Sequence, residues 1–165
     1  MNSNGLLSKL EDIKADYNLM RSDILCFSET KLTSSVSNKK LKLENFEICS
    51  RLDGEKQNSG GMIVYAKHSV LPYVNIIEKR RKIYKESDSY AEQIKIKYEE
   101  VKLSFVYLHP NLAKKSSDSL KKITDDLADS TGTYFIFYLW GWKGHTNFCF
   151  PNLSQHHIIQ LSWEI

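Results

Sequence analysis

Nowhere in its 165 residues does the chain carry an apolar stretch long enough to span a bilayer, and it opens with no signal peptide. Cysteine is scarce. Cys26, Cys49 and Cys149 are odd in number and lack the spacing of a metal site, so the sequence supports neither a disulfide framework nor a zinc cluster. Reduced thiols of this kind fit an intracellular protein, nuclear or cytoplasmic. There is no internal repeat, and neither sign of charge dominates. A net charge of +3 is too small to demand a nucleic-acid partner, though it does not oppose one. What remains, 41% apolar and 26% charged residues, is an ordinary globular composition in a chain long enough for one well-buried core.

The pattern along the chain centres on residues 22–33, SDILCFSETKLT. Ile24, Leu25, Cys26 and Phe27 form a short continuous apolar run, as expected of a strand buried on both faces. Glu29 follows at its mouth, where rigid backbone holds a carboxylate that can meet a cation. Taken alone, an acid there is most simply a solvated charge. Before this run, Leu6, Leu10, Ile13, Tyr17 and Met20 recur every three or four residues and predict one helical face, with Ser3 or Asn4 as the cap. Helix, short polar link and buried strand in that order suggest α/β packing.

Residues 33–42 read as a loop. Phe46 and Ile48 begin a second strand, residues 51–61 a Gly-rich turn, and residues 62–66 a third strand closing a hairpin. The basic block Lys79, Arg80, Arg81 and Lys82 reads as a solvated loop, with phosphate contact as the alternative. Ile94, Ile96 and Tyr98, then Val101, Leu103, Phe105 and Tyr107, alternate around Glu99 and Glu100 and predict a second hairpin, half buried on one side. Pro110 stops it. Leu120, Ile123 and Leu127 mark a further helix, and residues 134–140 another central strand. From Gly141 onward neither helical nor strand period is present. This divides the chain into a domain over 1–140 and a loosely packed or disordered tail over 141–165.

Four landmarks stand in order: Asn2 to Leu6 (NSNGL), Asp23 to Cys26 with Glu29 and Thr30, Gly60 to Tyr65 (GGMIVY), and Val106, Tyr107 with Pro110 and Asn111. From about residue 2 to about residue 137 this series resembles the endonuclease/exonuclease/phosphatase superfamily, most closely the endonuclease domain of non-LTR retrotransposons. The resemblance implies an α/β fold, a four-layer sandwich of two mixed sheets flanked by helices, here partial at the N-terminus and after about residue 137. It implies phosphodiester cleavage with Mg²⁺, DNA as partner, a reverse transcriptase once on the same polypeptide, no membrane and no defined oligomer. Carried across residue by residue, Glu29 is the metal-binding acid, Asn2 touches metal or phosphate, and Tyr107 hydrogen-bonds the phosphate. On residue type alone, Asn2 is a turn residue and Tyr107 a strand-end aromatic.

Three departures temper that expectation. Only Met1 precedes Asn2, so the family's first strand is missing and a sheet edge is expected to lie open. Where the family reads Gly-Asp-x-Asn, this chain reads Tyr138, Leu139, Trp140, Gly141, Trp142 and Lys143. The terminal Asp-His pair is absent; Gln155, His156 and His157 lack the acid. The abrupt change after Phe137 fits a shifted reading frame or a decayed element copy. Three readings therefore compete: a Mg²⁺-dependent DNA endonuclease-like domain, compromised in catalysis; a non-catalytic truncated relic; and an unrelated small α/β domain that binds nucleic acid or protein.

Overall fold

The apolar periods resolve into two sheets and a helical layer. The computed structural model describes residues 1–55, 59–85, 88–113, 125 and 133–139. The first sheet has the order β1-β3-β2, built from β1 (Ile24–Ser28), β2 (Phe46–Leu52) and β3 (Met62–Lys67), all antiparallel. The second has the order β4-β5-β6-β7, from β4 (Val74–Tyr84), β5 (Ser89–Tyr98), β6 (Val101–Leu108) and β7 (Thr133–Leu139). It is mixed, because β7 runs parallel to β6. Helices α1 (Leu6–Ala15), α2 (Tyr17–Arg21) and the single turn α3 (Pro110–Ala113) complete the described elements. The result is a partial α/β sandwich.

Alternation along the strands sorts the core into two clusters. Leu25 and Phe27 of β1, with Ile63 and Tyr65 of β3, meet Leu6, Leu10, Ile13 and Leu19 of the helices. Cys26, Met62 and Val64 point the other way, onto Ile94, Ile96, Phe105 and Tyr107 of the second sheet. β1 is thus buried on both faces, as its unbroken apolar run predicts. Both expected hairpins form, the second turning at Glu99 with φ 52. Cys26 and Cys49 sit in β1 and β2 as thiols.

Several expectations need correction. The first helix is two: Asp16 ends α1, and its carboxylate accepts from the N–H groups of Asn18 and Leu19 at 2.9 and 3.0 Å to cap α2. That break turns the apolar face, so Leu19 is buried while Tyr17 is 71% exposed. The cap of α1 is Gly5, not Ser3 or Asn4. The expected loop over 33–42 contains a 3-10 turn, Asn38–Leu41. The basic block is no loop but the middle of β4, paired with β5 along its length past a bulge between Ile76 and Glu78. Away from its turn the second hairpin is buried on both faces, not one: Lys95 and Gln93, on the side opposite Ile94 and Ile96, are 4% and 0% exposed. Lys95 is ion-paired to Glu78 at 3.2 Å, and Gln93 donates to Ser104 Oγ at 2.6 Å.

The outer edge of β1 is partly covered. Residues 1–6 run beside it, with a parallel bridge between Asn2 and Ser28 and backbone bonds from Ser28 N to Met1 O, Ser3 N to Ser28 O and Gly5 N to Glu29 O. The helix expected around Leu120, Ile123 and Leu127 and the tail 141–165, Cys149 included, lie outside the described residues. No helix among the described residues is long and apolar enough to cross a membrane.

Candidate functional site

Where β1 ends, the chain turns sharply. Glu29 and Lys31 adopt φ 52 and 53, a left-handed conformation that costs non-glycine residues about 1–3 kcal/mol and is tolerated only where surroundings impose it. Two glycines impose it here. Gly61 O accepts from Thr30 N at 3.2 Å and Gly60 O from Lys31 N at 2.8 Å. Gly61 itself has φ +90, and a Cβ there would lie 2.5 Å from Thr30 Oγ1.

This turn aims Glu29 into the gap between the sheets, where it is 6% exposed. Its Oε1 accepts from the Tyr107 phenol at 2.5 Å, a bond joining the end of β1 to β6. Oε2 is buried with no hydrogen-bond partner among the described residues, as is the neighbouring Thr30 Oγ1. Burial, and then the bond to Glu29, holds the Tyr107 phenol far above its ordinary pKa, so it stays a donor.

Tyr107 belongs to a cross-strand row. Arg81 of β4 lies opposite Glu92 of β5, and Glu92 opposite Tyr107 of β6. Glu92 is fully buried and well satisfied: it accepts from Gly61 N with both oxygens, at 3.1 and 2.9 Å, and from Arg81 Nε at 3.0 Å and Nη2. Burial raises the Glu92 pKa, against the pull of Arg81; for Arg81 burial acts to lower the pKa, and the contacts with Glu92 and Glu55 together raise it. Arg81 also reaches Glu55 and Asp53 O and stacks its guanidinium 5.3 Å from the Tyr90 ring.

Tyr90 lines the same end of the gap. Its ring lies 6.3 Å from Tyr107 and 5.0 Å from His109, and burial pushes its phenol pKa up to about 12. His109 Nδ1 accepts from Asn111 N at 3.3 Å, a bond that suits the tautomer with its proton on Nε2, and burial lowers the ring's pKa.

Of the three residues singled out from the sequence, two are in direct contact, Glu29 and Tyr107. Asn2 is held alongside by its bridge to Ser28, but its side-chain oxygen accepts from Asn4 N at 3.0 Å, and no hydrogen bond joins it to Glu29 or Tyr107 among the described residues. Sequence reasoning missed Glu92 and Arg81. The signal for Glu92 was phase: counting back by twos from Ile96 and Ile94 puts a carboxylate on the inward face. Arg81 was hidden inside a run of like charge.

The donor set limits which cation fits. Among the described residues no group of three or more His, Cys, Asp or Glu lies together as a metal cluster. Glu29 is, among the described residues, the buried carboxylate with an oxygen that has no hydrogen-bond partner. One such oxygen fits a hard divalent ion that takes most of its ligands from water and substrate oxygens, and does not fit a zinc-type site.

No protein-family model and no curated protein matches the chain. Solved structures do. The AP endonuclease LMAP from Leishmania major superposes with a TM-score of 0.52 at 15% identity, over 82% of this chain and 52% of that one. TDP2 from C. elegans gives 0.52 at 12% identity, over 82% and 42%. A humanized D. rerio TDP2 carrying 14 mutations gives 0.50 at 16% identity, over 83% and 58%. The chain spans about half the length of these structures. At such identities the likeness establishes a shared fold with these structures and no more.

Proposed function

We propose that the chain is a DNA endonuclease-like domain of retrotransposon origin that keeps the metal-holding half of a phosphodiesterase centre and lacks the half that activates water. The observation that carries this reading is the Glu29 carboxylate, pinned through Oε1 by Tyr107 with Oε2 left without a partner. Oriented in this way, Glu29 presents one hard oxygen to Mg²⁺. An ion held there would polarise a phosphate oxygen and stabilise the leaving oxygen.

The chain's own residues do the rest. Tyr107 gives its single phenol proton to Glu29 Oε1 and so fixes the rotamer of that carboxylate; to serve as a donor to a phosphate oxygen it would have to release Glu29. Asn2, tethered beside Ser28, swings its amide from Asn4 to the same phosphate. Turnover is the weak point, because the sequence runs Tyr138, Leu139, Trp140, Gly141 where an acid and an amide are needed. A general base is worth about 10²–10⁴ in rate. An electrostatic stabiliser adds about 3–4 kcal/mol. Losing both leaves binding without efficient cleavage.

The test is supercoiled plasmid DNA in Mg²⁺, comparing the chain with Glu29→Ala. We expect nicking at the same background rate in both, and DNA affinity that rises with Mg²⁺ only when Glu29 is present. Nicking that depends on Glu29 overturns the loss of chemistry. Affinity indifferent to both Mg²⁺ and Glu29 overturns the metal site and favours a plain nucleic-acid or protein interaction domain.

A further inference from the structure

We propose that Arg81 and Glu92 position the Glu29 carboxylate, acting through the Gly60–Gly61 backbone. This rests on the reading of Glu29 as a metal-holding acid. Ionic groups are seldom fully buried unless they are paired, and Glu92 lies at the centre of a chain of contacts that ends at Glu29. Arg81 holds Glu92 across the β4–β5 ladder. Both Glu92 oxygens hold Gly61 N. Gly61 O and Gly60 O hold the Thr30 and Lys31 amides, the two residues that follow Glu29. The left-handed conformations at Glu29 and Lys31 persist only under such outside restraint.

The space is fitted closely. A Cβ on Gly60 would collide with the Tyr90 phenol and lie 3.2 Å from Glu92 Oε1, so the two glycines sit directly against the buried pair. Across the next ladder Glu92 faces Tyr107, whose phenol grips Glu29 from the other side. One row of side chains in the second sheet therefore sets the acid of the first sheet from two directions. Glu92 and Arg81 touch neither metal nor substrate in this scheme; they fix the backbone that carries the residue that does.

The test uses the full chain with Arg81→Leu and Glu92→Leu made together, which avoids stranding one buried charge. Two readouts are taken: amide hydrogen exchange at Thr30 and Lys31, and affinity for Mn²⁺. We expect exchange at those amides to accelerate about tenfold relative to amides within β5. Mn²⁺ affinity should fall about 10- to 100-fold. The pair Arg81→Met with Glu92→Gln, which keeps an oxygen for Gly61 N–H, should recover both. Unchanged exchange at Thr30 and Lys31 in a folded Leu/Leu variant overturns the proposal. If that variant does not fold, the wild-type chain decides: Gly61, Thr30 and Lys31 amides opening together as denaturant rises supports positioning, and independent opening overturns it. Mn²⁺ affinity unchanged in Glu29→Gln would overturn the metal reading instead, and the exchange result would still judge the positioning.

Discussion

Tyr107 donates its phenol proton to Glu29 Oε1 at 2.5 Å across the gap between the sheets, although 78 residues separate them in sequence. The bond ties the last turn of β1 to β6 and leaves Glu29 Oε2 unsatisfied. Hydrogen bonds to a charged group contribute about 1.5–3 kcal/mol. Tyr107→Phe should therefore cost about 1–3 kcal/mol in urea unfolding, since it strands a buried carboxylate. In a double-mutant cycle with Glu29→Gln, the two losses should fall clearly short of additive; additive losses would show that the pair does not interact in solution.

Gly61→Ala should destabilise the chain by more than about 1 kcal/mol, because alanine resists positive φ and the new methyl meets Thr30 Oγ1 at 2.5 Å. Thermal unfolding measures it. Gly5→Ala provides a comparison: φ is also positive, but the nearest atom is Ser8 Oγ at 3.5 Å, so its loss should be the smaller of the two.

Alkaline pH should weaken the fold. Tyr65 is fully buried, donates to Leu41 O at 2.9 Å, and burial raises its phenol pKa well above the ordinary 10.0. A raised folded-state pKa means that the unfolded chain releases the proton first, so the stability held below the unfolded value is lost as pH rises past it. Tyr90, pushed up to about 12, acts in the same sense. Urea midpoints should fall between about pH 9 and about pH 11, and less steeply in Tyr65→Phe.

Asp16→Ala removes the acceptor for two orphan amides and should cost about 0.5–2 kcal/mol, read by urea unfolding and loss of helical circular dichroism.

Much of the fold was legible because strand and helix periods were strong. The apolar run at residues 24–27 named a doubly buried strand, the Gly-rich link over 51–61 named the first hairpin, and alternation around Glu99 and Glu100 named the second. Glu29 and Tyr107 were legible from resemblance, and the structure joins them. What stayed hidden has physical reasons. Asp16 satisfies backbone amides with its own side chain, so a continuous apolar stripe concealed a break. The strand through Lys79, Arg80, Arg81 and Lys82 was masked because partners come from the next strand: Glu92 pairs with Arg81, and the neutral Gln93 accepts from Arg80, whose acid is the nearby Glu78. A basic run looks solvated until the register supplies its acids. Asn2 is brought beside the Glu29 turn by its bridge to Ser28, and its side-chain oxygen accepts locally from Asn4 N.

The central claim is that a lone carboxylate, Glu29, holds Mg²⁺ at the mouth of β1. Calorimetric titration of Mg²⁺ into the full chain tests it most directly. The account predicts a single binding event in the wild type that disappears in Glu29→Gln while the thermal unfolding of the variant stays cooperative. Equal binding by the two chains, or none by either, would contradict it.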